Sequence, residues 1–162
     1  MLEEQLLDPA RHNRQAFASG VVELDEYLRR FAAQQSKKGV AAVRILVDTE
    51  APSVICGYYS LSAAQIDVSQ LDSTLQKQLP RYPVPCFRMG RLATALTFRG
   101  QGLGRILVGC AVARCLQARK HVAAVALLVD AKDASAKASN EHYGFVACRD
   151  NPMCLYLALG AA

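Results

Sequence analysis

Apolar residues recur at Leu24, Tyr27, Leu28 and Phe31, the i, i+3, i+4, i+7 spacing of one helical face, and predict an amphipathic helix from about Glu23 to Gln35. Lys37 and Lys38 complement its C-terminal end, and Gly39 can stop it. Val40 to Val47 reads as a strand, Pro52 marks a turn, and Ser53 to Ser62, rich in β-branched and aromatic residues, reads as a second strand. A weaker helical pattern covers Ser69 to Gln78; Pro80, Pro83 and Pro85 then break the chain into an extended connector. Phe87 to Ala95 predicts the next strand. A helix follows from about Gly102 to Gln117, with Leu103, Ile106, Leu107, Cys110 and Ala113 on its inner face. Val122 to Val129 is unbroken apolar sequence, as in a parallel strand covered on both faces. Lys132 to His142 reads as a helix. Val146 to Arg149 and Met153 to Leu159 read as a closing pair of strands around Asn151-Pro152. The order predicts an α/β fold with a mixed central sheet of about six or seven strands and flanking helices, in a single domain over residues 1–162.

Between the third predicted strand and its helix lies Phe98-Arg99-Gly100-Gln101-Gly102-Leu103-Gly104-Arg105. Three glycines at alternating positions let the backbone approach a ligand and leave several N–H groups free to point at one anion. The helix that begins there adds the positive end of its dipole, and Arg99 and Arg105 add charge. This is the pattern of a phosphate site. A P-loop would need G-x-x-x-x-G-K-S/T, and no Lys-Ser or Lys-Thr follows. The dinucleotide fingerprint G-x-G-x-x-G fails in both registers, because Arg105 or Leu107 stands where the third glycine belongs.

Charge sharpens the picture. The net charge is +5, and between Asp72 and Asp130 there is no acidic residue against nine basic ones. Such a block suits a polyanionic ligand or partner, and it exceeds what one nucleotide cosubstrate needs; RNA fits the surplus. Arg81, Arg88, Arg91, Arg119 and Lys120 are the candidate RNA contacts. The six cysteines form no C-x-x-C pair and show no ligand spacing with the three histidines, so reduced core thiols and no metal are expected. The first twenty residues do not read as a signal peptide, and the longest apolar stretch is far below a membrane span. A cytoplasmic protein with no membrane partner is expected.

The spacing R/Q-x-x-G-x-G/A, met by Arg99, Gly102 and Gly104, resembles the acetyl-CoA loop of the GNAT superfamily of N-acetyltransferases. The element order is similar over essentially the whole chain. GNAT proteins often carry N-x-x-A-x-x-x-Y-x-x-x-G-F after the fifth strand; here Ala136 and Gly144-Phe145 fall in register, Asp133 holds the asparagine position and Asn140 the tyrosine position. Phe17-Ala18-Ser19-Gly20 ahead of Leu24-Asp25-Glu26-Tyr27-Leu28 looks like the N-terminus of the GNAT toxins of type II toxin–antitoxin systems. So do Gly57-Tyr58-Tyr59-Ser60-Leu61, Tyr82-Pro83-Val84-Pro85 and Gly90-Arg91-Leu92-Ala93. The resemblance implies acetyl-CoA as cosubstrate, held by the backbone of Leu92, Ala93 and Thr94, by Arg99, Gly100, Gln101, Gly102, Leu103, Gly104 and Arg105, and by Asp133. It implies acetylation of the amino group of aminoacyl-tRNA, inhibition of translation, and a ribbon-helix-helix antitoxin as partner; a homodimer is compatible with it.

The chain departs from the toxin pattern in two places. Thr94-Ala95 stand where Val-Asp is usual, and Asn140 stands where the family's tyrosine protonates the departing CoA thiolate. An amide cannot do that at neutral pH. Tyr143, three residues on, is the candidate replacement, one helical turn away. Two alternatives stay open: a GNAT enzyme acting on a small amine or a protein N-terminus, and a catalytically silent CoA-binding protein that keeps its RNA or antitoxin contacts.

Overall fold

The computed structural model describes residues 1–160. Its strands are β1 (Leu2–Leu6), β2 (Ala42–Asp48), β3 (Ala51–Ile66), β4 (Val84–Thr94), β5 (Ala126–Asp130), β6 (Val146–Ala147) and β7 (Cys154–Ala158). They form one seven-stranded mixed sheet in the order β1-β2-β3-β4-β5-β7-β6. The helices are α1 (Val22–Glu26), α2 (Ala32–Lys37), α3 (Ser73–Gln78), α4 (Leu103–Ala118) and α5 (Ala134–His142). By density of internal contacts the chain divides into two units. One comprises Met1–Ser62 with Gly90–Ala111, the other Ala63–Met89 with the chain from Val112 onward.

In the first unit β1 pairs antiparallel with β2, and β2 with β3. The β1 strand has no counterpart in the hydrophobic pattern, because Leu2 and Leu6 are exposed and what holds it is distant in sequence. Glu4 forms an ion pair with Arg44 of β2 and accepts a hydrogen bond from the Tyr59 hydroxyl of β3 at 2.7 Å. The predicted first helix is interrupted: a π-turn over Tyr27–Phe31 joins α1 to α2. The extra residue in that turn rotates the stripe out of phase. Tyr27 and Leu28 are buried, Phe31 is 44% exposed, and Ala32 takes its inward place. Phe17, Tyr27, Leu28, Ala32, Val43, Ile45, Val47, Ile55 and Tyr58 form this unit's core.

In the second unit Phe87–Met89 of β4 pair parallel with Leu127–Val129 of β5, which pairs antiparallel with β7, as β6 does on the other side. The proline connector is shorter than predicted: β4 already begins at Val84 and carries Pro85. The apolar run also begins too early as a strand, since β5 starts at Ala126 and Val122 is 67% exposed. Ile66, Val68, Leu71, Val84, Cys86, Ala126, Leu128, Cys148, Cys154 and Tyr156 form the core. Five of the six cysteines are buried, and burial pushes the Cys86 thiol up to about 11 and Cys115 and Cys148 up to about 12, as expected of core thiols.

Candidate active site

The glycine turn lies wholly in the first unit. After β4 the chain makes one 3-10 turn, Leu96–Phe98, and then two left-handed residues, Gly100 at φ +84° and Gly102 at φ +74°. Only glycine adopts that backbone without strain. A Cβ built on either would meet nothing within 4 Å, so the surface over both is open. Immediately afterwards α4 starts at Leu103; the N–H groups of Leu103, Gly104 and Arg105 have no partner within the helix, and Ile106 N–H is the first to donate back, to Gly102 C=O at 3.3 Å. Arg99 and Arg105 are exposed at the two ends of the turn. Open space over two left-handed glycines, unsatisfied helix N–H groups and two guanidiniums make a cradle that fits a pyrophosphate.

Two contacts seat this turn. Ala95 N–H donates to Cys56 C=O of β3 at 2.8 Å. Gly57 lets α4 approach: a Cβ there would lie 2.8 Å from Leu107 Cδ1 and 2.9 Å from Ala93 O, and Leu107 is fully buried as a result. The buried stripe of α4 is Leu103, Leu107, Val108, Ala111 and Cys115. Ile106 and Ala113, predicted on the inner face, are exposed. The helix is apolar nearly all round, so its sequence does not mark which side packs.

Leu92, Ala93 and Thr94 lie at the end of β4. The ladder with β5 ends at Met89, and β4 runs five residues beyond it, to Thr94. Beside them the Arg91 guanidinium lies 3.6 Å from the centroid of the Tyr27 ring. Tyr27 stacks on Tyr58, and the Tyr58 hydroxyl donates to Leu24 C=O at 2.6 Å. Of the candidate RNA contacts, Arg91 is therefore engaged within the protein.

The remaining candidates belong to the second unit. Arg88 is paired with Asp130. Arg119 donates to the carbonyls of Leu159 and Gly160 at 2.6 and 2.8 Å and so holds the chain after β7. Arg81 is exposed in a groove lined also by Asp67, Ser69, Ser73, Gln76 and Lys77. Lys120 is exposed beside Gln117, Ala118 and His121. Local sequence cannot separate these roles, because the partners of Arg88 and Arg119 lie 42 and 40 residues away.

Asp133 caps α5, its carboxylate accepting from Ala136 N–H at 2.8 Å. At the other end Gly144, at φ +97°, closes a Schellman motif: Phe145 N–H donates to Asn140 C=O at 3.1 Å and Gly144 N–H to Glu141 C=O at 3.0 Å. Asn140 and Tyr143 are half-buried, and the Tyr143 ring stacks edge-on with His142 at 5.8 Å.

No protein-family model matches this chain. A tRNA-acetylating toxin of Mycobacterium tuberculosis is 31% identical over 144 residues, 89% of this chain and 84% of that protein. A probable toxin TacT of Sinorhizobium fredii is 23% identical over 161 residues, 94% and 88% of the two chains. Among solved structures, a tyrosine-to-phenylalanine variant of KacT matches with a TM-score of 0.91 at 27% identity, over 98% of this chain and 95% of that one. AtaT complexed with acetyl-methionyl-tRNAfMet matches with a TM-score of 0.91 at 25% identity and the same coverage. Glycine turn, sheet order and full-length similarity agree, and the chain belongs to the tRNA-acetylating toxins of the GNAT fold.

Proposed function

We propose that this protein, as one acetyltransferase domain, transfers the acetyl group of acetyl-CoA to the α-amine of an aminoacyl-tRNA and so inhibits translation. The observation that carries the reading is the Arg99–Arg105 turn, with open space over Gly100 and Gly102 at the start of α4. Backbone N–H groups of Leu103, Gly104 and Arg105, with both arginines, would hold the pyrophosphate. The N–H and C=O groups of Leu92–Thr94, past the end of the β5 ladder, would pair with the amides of the pantetheine arm. Acetyl-CoA supplies an activated acyl group. An N–H at the end of β4 would polarise its carbonyl, a role typically worth about 3 kcal/mol of barrier.

Chemistry asks little more of the side chains. An α-amine has a pKa of about 7.7–8.0, so a large fraction is neutral near neutral pH and attacks without a strong base. The leaving thiolate, of pKa about 8.5, departs more easily with a proton donor, a role typically worth about 10²–10⁴ in rate. Tyr143 is our candidate donor. The exposed basic residues Arg81 and Lys120, with Lys77, are the candidate RNA contacts.

AtaT and KacT have been solved with antitoxin partners, AtaT with the C-terminus of AtaR and KacT in a KacTA–DNA complex. By that likeness we propose an antitoxin partner for this chain too. One observation favours a second reading, a CoA-binding protein without turnover: Asn140 occupies the position of the family tyrosine.

Two measurements test the proposal. Calorimetry should find CoA binding in the wild type and none in a folded Gly102→Glu variant, whose side chain and charge would occupy the cradle. Incubation with labelled acetyl-CoA and aminoacyl-tRNA should label the tRNA at its α-amine. CoA binding without such labelling would select the silent reading.

A further inference from the structure

Asp25, in the single turn of α1, is a buried residue, only 6% exposed. Its Oδ1 accepts two hydrogen bonds from one residue, the Ser19 N–H at 2.9 Å and the Ser19 hydroxyl at 2.6 Å. Ser19 is itself 8% exposed, and its hydroxyl oxygen accepts from Val21 N–H at 3.2 Å. Withdrawing a carboxyl group from water is costly, and an apolar side chain would suit the core face of α1. The bonds are spent on fixing the short segment Phe17–Gly20.

That segment grips Leu96 from two sides. Ala18 C=O accepts from Leu96 N–H at 2.8 Å. Gly20, at φ +87°, lies against the Leu96 side chain, where an added Cβ would come within 3.3 Å of Cδ2. The other end is anchored by Phe17, buried and packed edge-on against Tyr58 with centroids 5.6 Å apart. Leu96 is 42% exposed, so its own burial does not hold it in place. Yet Leu96 C=O accepts from Arg99 N–H at 3.1 Å, and Phe98 C=O from Gln101 N–H at 3.3 Å. The first half of the glycine turn hangs on Leu96.

We propose that Asp25 and Ser19 are positioning residues for the phosphate-binding turn: through Ala18 and Gly20 they fix Leu96, and through Leu96 the start of Arg99–Arg105. The proposal rests on the reading of that turn as the CoA site. It gives the Phe17–Gly20 and Leu24–Leu28 sequences one joint role, holding an anion cradle in its binding geometry before the ligand arrives.

Calorimetry with CoA tests it on the wild type and on Asp25→Ala, Asp25→Asn, Ser19→Ala and Val43→Ala. Val43 is fully buried in the same core, so its truncation reports plain destabilisation. Asp25→Ala should weaken CoA binding by roughly tenfold, the scale of lost preorganisation. Asp25→Asn, which keeps an oxygen acceptor, should recover most of that loss. Ser19→Ala should weaken binding by about threefold, the loss of one modest hydrogen bond. Val43→Ala should lower the melting temperature and leave CoA affinity unchanged. Wild-type affinity in Asp25→Ala overturns the proposal, as does an equal loss in Val43→Ala. Should Asp25→Ala not fold, Ser19→Ala decides by the same criterion. Failure of the wild type itself to bind CoA overturns the underlying site reading, a result distinct from any pattern among the variants.

Discussion

The guanidinium of Arg91 lies over the ring of Tyr27 at 3.6 Å from its centroid, and Tyr27 in turn stacks on Tyr58. This joins the end of β4 to the π-turn of the N-terminal helix. Such a contact is worth about 0.5–2 kcal/mol, more as water is excluded. Arg91→Ala should therefore lower the melting temperature, and should leave the salt dependence of tRNA binding unchanged. A reduced salt slope would instead place Arg91 against phosphate.

The basic residues should divide by what already engages them. Arg81→Ala and Lys120→Ala should each weaken tRNA binding and lower the salt slope by about one, since each phosphate contact releases condensed counterions. Arg88→Ala and Arg119→Ala should act mainly on stability, because their partners are Asp130 and the carbonyls of Leu159 and Gly160. Filter binding across a salt series, beside thermal melts, separates the two groups.

Asn140 tests the leaving-group step. If turnover is limited by the missing donor, Asn140→Tyr should raise tRNA acetylation by at least about tenfold, a floor one decade below the roughly 10²–10⁴ of a well-placed acid. Tyr143→Phe keeps the ring and removes the hydroxyl. A fast wild type slowed by Tyr143→Phe would assign the donor to Tyr143. A fast wild type indifferent to both changes would show that no side-chain acid is needed.

His12 predicts a pH dependence of stability. It is 3% exposed; its Nδ1 accepts from Asp8 N–H at 2.9 Å, and its Nε2 lies 2.9 Å from Gln5 Oε1. Burial, then the nearby Arg11 charge, holds its pKa below the ordinary 6.5. The unfolded chain then binds more protons just below pH 6.5, so this contribution is complete above that value and declines as pH falls toward the lowered folded value. Melting temperatures from pH 8 to pH 5 should fall more steeply in the wild type than in His12→Gln.

Much of this was legible in the chain itself. Elements with a strong local period or an unbroken apolar run declare themselves because burial selects their side chains one by one: Val40–Val47 and Val122–Val129 mark the strands Ala42–Asp48 and Ala126–Asp130, with only the ends displaced. The glycine turn was equally plain, since only glycine reaches the left-handed backbone needed at Gly100 and Gly102. What the tertiary structure alone decided depends on partners far away in sequence. Leu2–Leu6 is a strand because β2 pairs with it and Arg44 and Tyr59 hold Glu4. Phe31 faces water because a π-turn shifts the helical phase. Leu107, rather than Ile106, packs inward because Gly57 leaves room for it across 50 residues of chain. Arg91, Arg88 and Arg119 look alike as charges in sequence, and only the ring, carboxylate or carbonyls brought beside each by folding distinguish them. Local pattern records what a residue prefers; its role is set by the long-range neighbours that the fold supplies.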